Sequence, residues 1–198
     1  MFSNYFNPIC KNVLDFKNTL NKNQIGSYVT CYHNDVFPDI NNTDIAIIIV
    51  PENRGSSIGI ASNSYLDFRK SFYSLFRGNW EFRITDFGDL KPGDNLKDTY
   101  FALNDIISNL LSQSVFPIIL GGTNDLIYPV YQAYESFAKG INLTSIDSRF
   151  DLIDSDPSNI NSRNYIGYIL KKEINHLNNF VNLGYQSYLC QNDEANLL

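Results

Sequence analysis

A chain of 198 residues with 43% hydrophobic and 14% aromatic side chains carries the apolar payload of one globular domain, or of a large part of one, which excludes a disordered protein. Its net charge of -6 and the lack of any Lys/Arg run exclude the basic field that nucleic acid or an anionic membrane surface would require. The three cysteines, Cys10, Cys31 and Cys190, lie far apart and in no Cys-x-x-Cys pair, so neither a disulfide framework nor a zinc knuckle is expected.

The opening MFSNYFNPICKNVL has no basic segment followed by a long apolar run, and the longest apolar stretch, IAIIIV, is far too short to span a bilayer. A cytoplasmic protein with reduced thiols is expected. Along the chain, apolar runs alternate with helical patterns, the mark of βαβ units and a mainly parallel sheet. Residues 45–51 (IAIIIVP) are apolar on both faces and read as a central strand covered on each side. Residues 65–76 carry Leu66, Phe68, Phe72, Leu75 and Phe76 at helical spacing, and 82–88 (FRITDFG) read as a strand ending at a turn.

A helix is expected over 98–113 with Asp98 as its N-cap, leading into a strand at 115–120. After Gly121-Gly122 comes a helix over 125–138, with Pro129 in its first turn and Gly140 as its stop. Strands at 141–147 and 178–184 flank a helix at 165–174, and the tail CQNDEANLL offers no closing element. No repeat, low-complexity tract or linker divides the chain, so one domain over 1–198 is expected.

In sheets of this kind ligands gather at the carboxyl ends of strands. Two such ends are polar here: Gly121-Gly122-Thr123-Asn124-Asp125 and Asp147-Ser148-Arg149-Phe150-Asp151. Taken alone, Asp147 and Asp151 read as a strand-end cap and a solvated loop residue. The glycine pair alone could cradle a phosphate on the next helix, against which stand the absence of Lys and the negative charge of Asp125. His33 and His176 lie outside both loops and read as surface or satisfied histidines.

The stretch FPIILGGTNDLIYPVYQAY, followed after one helix by LTSIDSRFDL, resembles the arginase, agmatinase and formimidoylglutamase family, the ureohydrolases. VPENRG (50–55), FRKSFYSLF (68–76) and DFGDL (86–90) resemble that family's first-strand loop, following helix and second strand, so the resemblance covers about residues 44–185. It implies an arginase-like three-layer α/β/α fold with strand order 2-1-3-8-7-4-5-6. It also implies two manganese ions that activate a hydroxide for attack on a guanidinium-like or formimino carbon.

Residue by residue, the family's Gly-Gly-Asp-His loop is here Gly121-Gly122-Thr123-Asn124, and its Asp-Ala-His-x-Asp loop is Asp147-Ser148-Arg149-Phe150-Asp151. Asp147 and Asp151 match family ligands; Asn124 offers only a neutral amide in place of an imidazole. Arg149 has no lone pair to give and sets a fixed positive charge where the second imidazole would be. An ion pair of Arg149 with Asp147 or Asp151 is expected. No His lies between Leu152 and Glu173, where family members place one that contacts substrate, and no later strand after Asp151 supplies the family's further Asp-x-Asp ligand pair.

The resemblance therefore implies a ureohydrolase-fold protein with a degenerate dimanganese site, catalytically inactive and acting by binding, with the sheet incomplete toward the carboxyl end. Its vestigial ligands are Asp147, Asp151 and Asn124, with Thr123 and Arg149 as the degenerate positions. The alternative is an active metal-dependent C–N hydrolase on a guanidino, amidino or formimino substrate. No cofactor is expected, and manganese is the metal expected if one is retained. The expected partners are a small-molecule ligand and further copies of the chain.

Overall fold

Five-residue apolar runs bounded by turn residues settle as strands when both faces can be covered, and Ile45–Ile49 does so most completely. Four of its five side chains are buried. The computed structural model describes residues 2–56, 64–137, 140–153 and 158–195, which group into two compact units. The first comprises residues 1–53 and 58–122; the second, residues 54–57 and 123–198.

In the first unit the strands are β1 (Phe6–Asn7), β2 (Thr30–Cys31), β3 (Ile45–Ile49), β4 (Ile84–Leu90) and β5 (Phe116–Leu120). They form one sheet in the order β1-β4-β3-β5, with β2 also on β4. All pairings are parallel except β1 with β4. Helix α1 (Lys11–Lys17) and α2 (Ser64–Ser74) pack through Val13, Leu66, Phe72 and Tyr73 with Ile25, Ile45 and Ile47. Helix α3 (Leu96–Ser112) buries Thr99, Ala102, Leu103, Ile106, Ile107 and Leu110, a stripe at helical spacing.

In the second unit β6 (Ile141–Ile146) and β7 (Leu177–Leu183) pair in parallel. Helices α4 (Ile127–Glu135) and α5 (Tyr165–Leu170) contribute Tyr131, Tyr165, Ile166 and Ile169 to a core shared with Leu143 and Phe180. Helix α6 (Asn192–Ala195) follows in the tail. The expected α/β class with a mainly parallel sheet is therefore present. Among the described residues the pairings give the 2-1-3 and 4-5 stretches of the expected order, β5 and β6 each pairing on one side only.

Four boundaries differ from expectation for identifiable reasons. The N-cap of α3 is Asn95, and Asp98 is the reciprocal partner three residues in: each side chain accepts the other's backbone N–H at 3.1 Å. Strand β4 runs through Gly88, which takes φ 87 at a register shift instead of ending the strand. Helix α4 ends at Glu135, five residues before Gly140, where a Cβ would meet the Asn178 side chain. The expected end at Ala138 lies outside the described residues. Helix α5 stops at Leu170 because the Asn175 amide takes the carbonyls of Ile169 and Leu170, at 3.0 and 3.4 Å.

The first unit is organised around a buried charge pair. Arg69 of α2, 3% exposed, donates through Nε and Nη2 to both oxygens of the fully buried Asp86 on β4, at 2.8 and 2.9 Å. Its Nη1 reaches Asp89 at 2.7 Å. Tyr73 donates its hydroxyl to Asp86 at 2.7 Å, and the Gly88 N–H donates at 2.9 Å. Burial and the neighbouring Asp86 push the Cys31 thiol up to about 11, so Cys31 is a packed neutral thiol. Arg69→Met strands the Asp86 charge without its partner and should cost about 3–5 kcal/mol. Urea unfolding of the variant checks this, read against the much smaller loss expected for Arg83→Met at the half-exposed Arg83–Asp44 pair.

Candidate functional site

The loop after β5 needs glycine at both of its first positions. Gly121 and Gly122 have φ of 88 and 75, and a Cβ at Gly121 would overlap the ring of Tyr65. The Gly122 N–H donates to the Tyr65 hydroxyl at 3.1 Å. Residues 124–126 then form a 3-10 turn that separates two polar side chains. Asp125 is wholly buried, and a Cβ at Gly55 would overlap its carboxylate, so only glycine fits at position 55. Asn124 is exposed, and the Thr123 hydroxyl is buried without a hydrogen-bond partner among the described residues.

Asn124 reaches the loop after β6. Its Nδ2 donates to Asp147 Oδ2 at 2.8 Å, while Asp147 Oδ1 accepts the Arg149 backbone N–H at 3.0 Å. The amide orientation is set by charge: an amide oxygen turned to an ionised carboxylate would leave two acceptors face to face. The second contact is a local turn in which an Asp side chain takes the N–H two residues on.

Asp151, four residues further, is 3% exposed, has φ 54 and lies 3.9 Å from Arg163 Nε. Burial and the charge of Asp147 push it up to about 7, against the hydrogen bond from Asn124 and the charge of Arg149; Glu194 raises it further. Burial, and then the charge of Asp151, also raise the Tyr165 phenol.

The expected ion pair of Arg149 with either aspartate is not among those of the described residues. Its backbone N–H serves Asp147, Arg163 reaches Asp151, and the Arg149 guanidinium acts on Asp151 only through its field. His176 contacts the Glu135 carbonyl through Nδ1 at 3.3 Å, and His33 is half-buried.

The tail also closes on this loop, contrary to expectation. Glu194, 5% exposed, accepts the N–H groups of Leu152 and Ile153 through Oε1 at 3.2 and 3.4 Å and that of Gln191 through Oε2 at 2.9 Å. Arg163, Tyr165 and Glu194 were not visible as site residues in sequence, whereas Asp125 lies in a polar strand end that was. Of these three, only Glu194 left a signal, because a carboxylate three residues after Gln191 has the spacing of a reciprocal helix cap.

Little of this donor set is left open to a metal ion. Both oxygens of Asp147 are engaged by N–H donors, Asn124 presents hydrogen atoms to it, and Arg149 has no lone pair. Among the described residues no three His, Cys, Asp or Glu side chains gather as a metal cluster, and no helix is long and apolar enough to cross a membrane.

The arginase family profile matches residues 56–197. Solved structures similar to this chain include formiminoglutamase from Trypanosoma cruzi with Mn2+2, at 20% identity and TM-score 0.70, over 82% of this chain and 62% of that one. Formimidoylglutamase from Bacillus subtilis subsp. subtilis str. 168 is similar at 17% identity and TM-score 0.70, over 94% and 63%. A putative agmatinase from Clostridium difficile is similar at 18% identity and TM-score 0.64, over 75% and 57%. The chain spans about three fifths of the length of these solved relatives. No curated protein sequence matches it.

The raised Asp151 has a measurable consequence. Between about pH 4 and pH 7 the folded state holds a proton that the unfolded chain has already released, so stability falls as pH rises through that window and levels off above it. Asp151→Asn removes the titration. The wild type should lose on the order of 3 kcal/mol relative to the variant between those limits, read from urea unfolding at a series of pH values.

Proposed function

Since the chain belongs to the arginase family, we propose that it is a member whose dimetal centre has become a hydrogen-bonded clasp, and which acts by binding and not by hydrolysis. The observation that carries this is Asp147. Its two oxygens accept N–H groups from Asn124 and Arg149, so the carboxylate that matches a family ligand is satisfied within the protein. The positive field of Arg149 and the ion pair of Asp151 with Arg163 act in the same direction, since each opposes a divalent cation beside the two aspartates. The same reading takes the protein to be cytoplasmic, to self-associate and to hold a small molecule.

The second reading, a metal-dependent C–N hydrolase, is favoured by one observation: Asp147 and Asp151 lie close enough for the charge of one to raise the other. The family's solved members include enzymes described as formiminoglutamase with Mn2+2, and manganese would be the metal here. On this reading the two carboxylates would hold the metal, which when bound would supply hydroxide at neutral pH.

The two separate in one experiment on the full-length protein. Manganese is titrated with electron paramagnetic resonance as the readout, and hydrolysis of N-formimino-L-glutamate, agmatine and arginine is assayed on the same samples. Expected are binding no tighter than about 100 µM and no turnover above the uncatalysed rate. Asn124→His combined with Arg149→His should tighten manganese binding at least about tenfold. Micromolar binding by the wild type, with turnover abolished in Asp147→Ala, would instead establish the hydrolase.

A further inference from the structure

In the second unit, the groove between α4 and α5 holds an open cleft of about 430 Å³, the size of a small-molecule site. Its walls are Tyr128 from the start of α4, Leu152 and Ile153 from the loop after Asp151, and Tyr168 from α5. The Tyr128 and Tyr168 rings meet edge to face, with centroids 6.3 Å apart. Gly167 gives α5 its close approach to this loop: a Cβ there would overlap the Leu152 carbonyl. Asn164 is 3% exposed and fixed, its Nδ2 donating to the Asn159 carbonyl at 2.9 Å and its Oδ1 accepting the Asn161 N–H at 2.8 Å.

The rim decides the charge of an occupant. Lys171 and Lys172 both line the cleft. Lys172 is neutralised by its ion pair with Glu135 and stands 5.6 Å over the Tyr131 ring. Lys171 is exposed and in no ion pair among the described residues. Two apolar side chains, two ring surfaces and one ammonium without an ion-pair partner among the described residues fit a ligand with a compact apolar body and a single negative charge. A dianion would leave one charge unmatched at an apolar wall, and a cation would face Lys171.

We propose that this cleft binds a small organic monocarboxylate, its apolar body against Tyr128, Tyr168, Leu152 and Ile153 and its carboxylate at Lys171. The site rests on the binding reading above and gives it a place and a ligand class. Its wall is also the continuation of the clasp, because Leu152 and Ile153 directly follow Asp151 and have their amides held by Glu194. A bound ligand would therefore brace the same loop that the clasp braces.

The test is a ¹H–¹⁵N titration of the full chain with benzoate, 4-methylpentanoate, benzyl alcohol and benzylamine. Expected is saturable movement of the Gly167, Tyr168 and Lys171 amide signals with the two carboxylates, with half-saturation weakened at least about fivefold for the alcohol and more for the amine. Lys171→Met should weaken benzoate by at least about fivefold, and Lys171→Arg should retain it. Since Lys171 is exposed, neither change should alter folding.

No saturable movement with either carboxylate up to about 20 mM would overturn the proposal. So would benzoate binding that is indifferent to Lys171→Met. Manganese-dependent amidine hydrolysis by the same sample would overturn the binding-only reading while leaving the carboxylate titration to stand or fall by itself.

Discussion

A buried carboxylate has to be compensated, and in the first unit that requirement fixes which helix lies on which strand. Asp86 is fully buried in the middle of β4. Water cannot reach it, so Arg69, Tyr73 and the Gly88 N–H must. Arg69 and Tyr73 are four residues apart on α2 and face β4 together, which sets both the rotation of the helix and its position along the strand. The pair adds little net free energy against an apolar replacement of the same shape, but it strongly penalises any register in which Asp86 loses its partners. Burial lowers the tendency of Arg69 to stay charged, and the charges and hydrogen bonds of Asp86 and Asp89 more than restore it.

The second unit meets the same requirement with weaker means. Asp147 is half-buried and needs only two N–H donors, one from a side chain and one from its own loop. Asp151 is more deeply buried, and its nearest cation stands 3.9 Å away. What the partners fail to compensate is expressed as a carboxyl group with a greatly raised proton affinity. A carboxyl that titrates near neutrality in a loop with positive φ is a local cost, set against the packing of Phe150, Leu152 and Tyr165 around it.

Much of the architecture was legible because it rests on periodicity. The apolar run at Ile45–Ile49 and the stripe from Thr99 to Leu110 could be covered in few other ways, and both elements formed where the pattern placed them. The errors fall where a single side chain competes with the pattern. Gly88 reads as a stop but serves a bulge inside β4, and Asn175 ends α5 by taking carbonyls that a longer helix would have used itself. At the site, Asn124, Asp147 and Asp151 do converge, and the resemblance that singled them out rests on loops placed by those same strands. Arg163 left no signal, and Glu194 only that of a helix cap, because their partners at the site are 12 and more than 40 residues away and are matched by fold, not by spacing.

On the proposed reading, the identity of residues 124 and 149 also constrains how such a site can persist. If only Asn124 had replaced a histidine, the two aspartates would still lack compensation for their mutual repulsion, and the loop would remain dependent on an added cation. Arg149 changes that balance, because its charge lowers the proton affinity of Asp151. The two substitutions therefore act on the same pair of carboxylates from opposite loops, and each makes the other less costly. A centre altered at only one of them would be poorer both as a metal site and as a clasp, which couples Asn124 to Arg149 physically although their side chains need not touch.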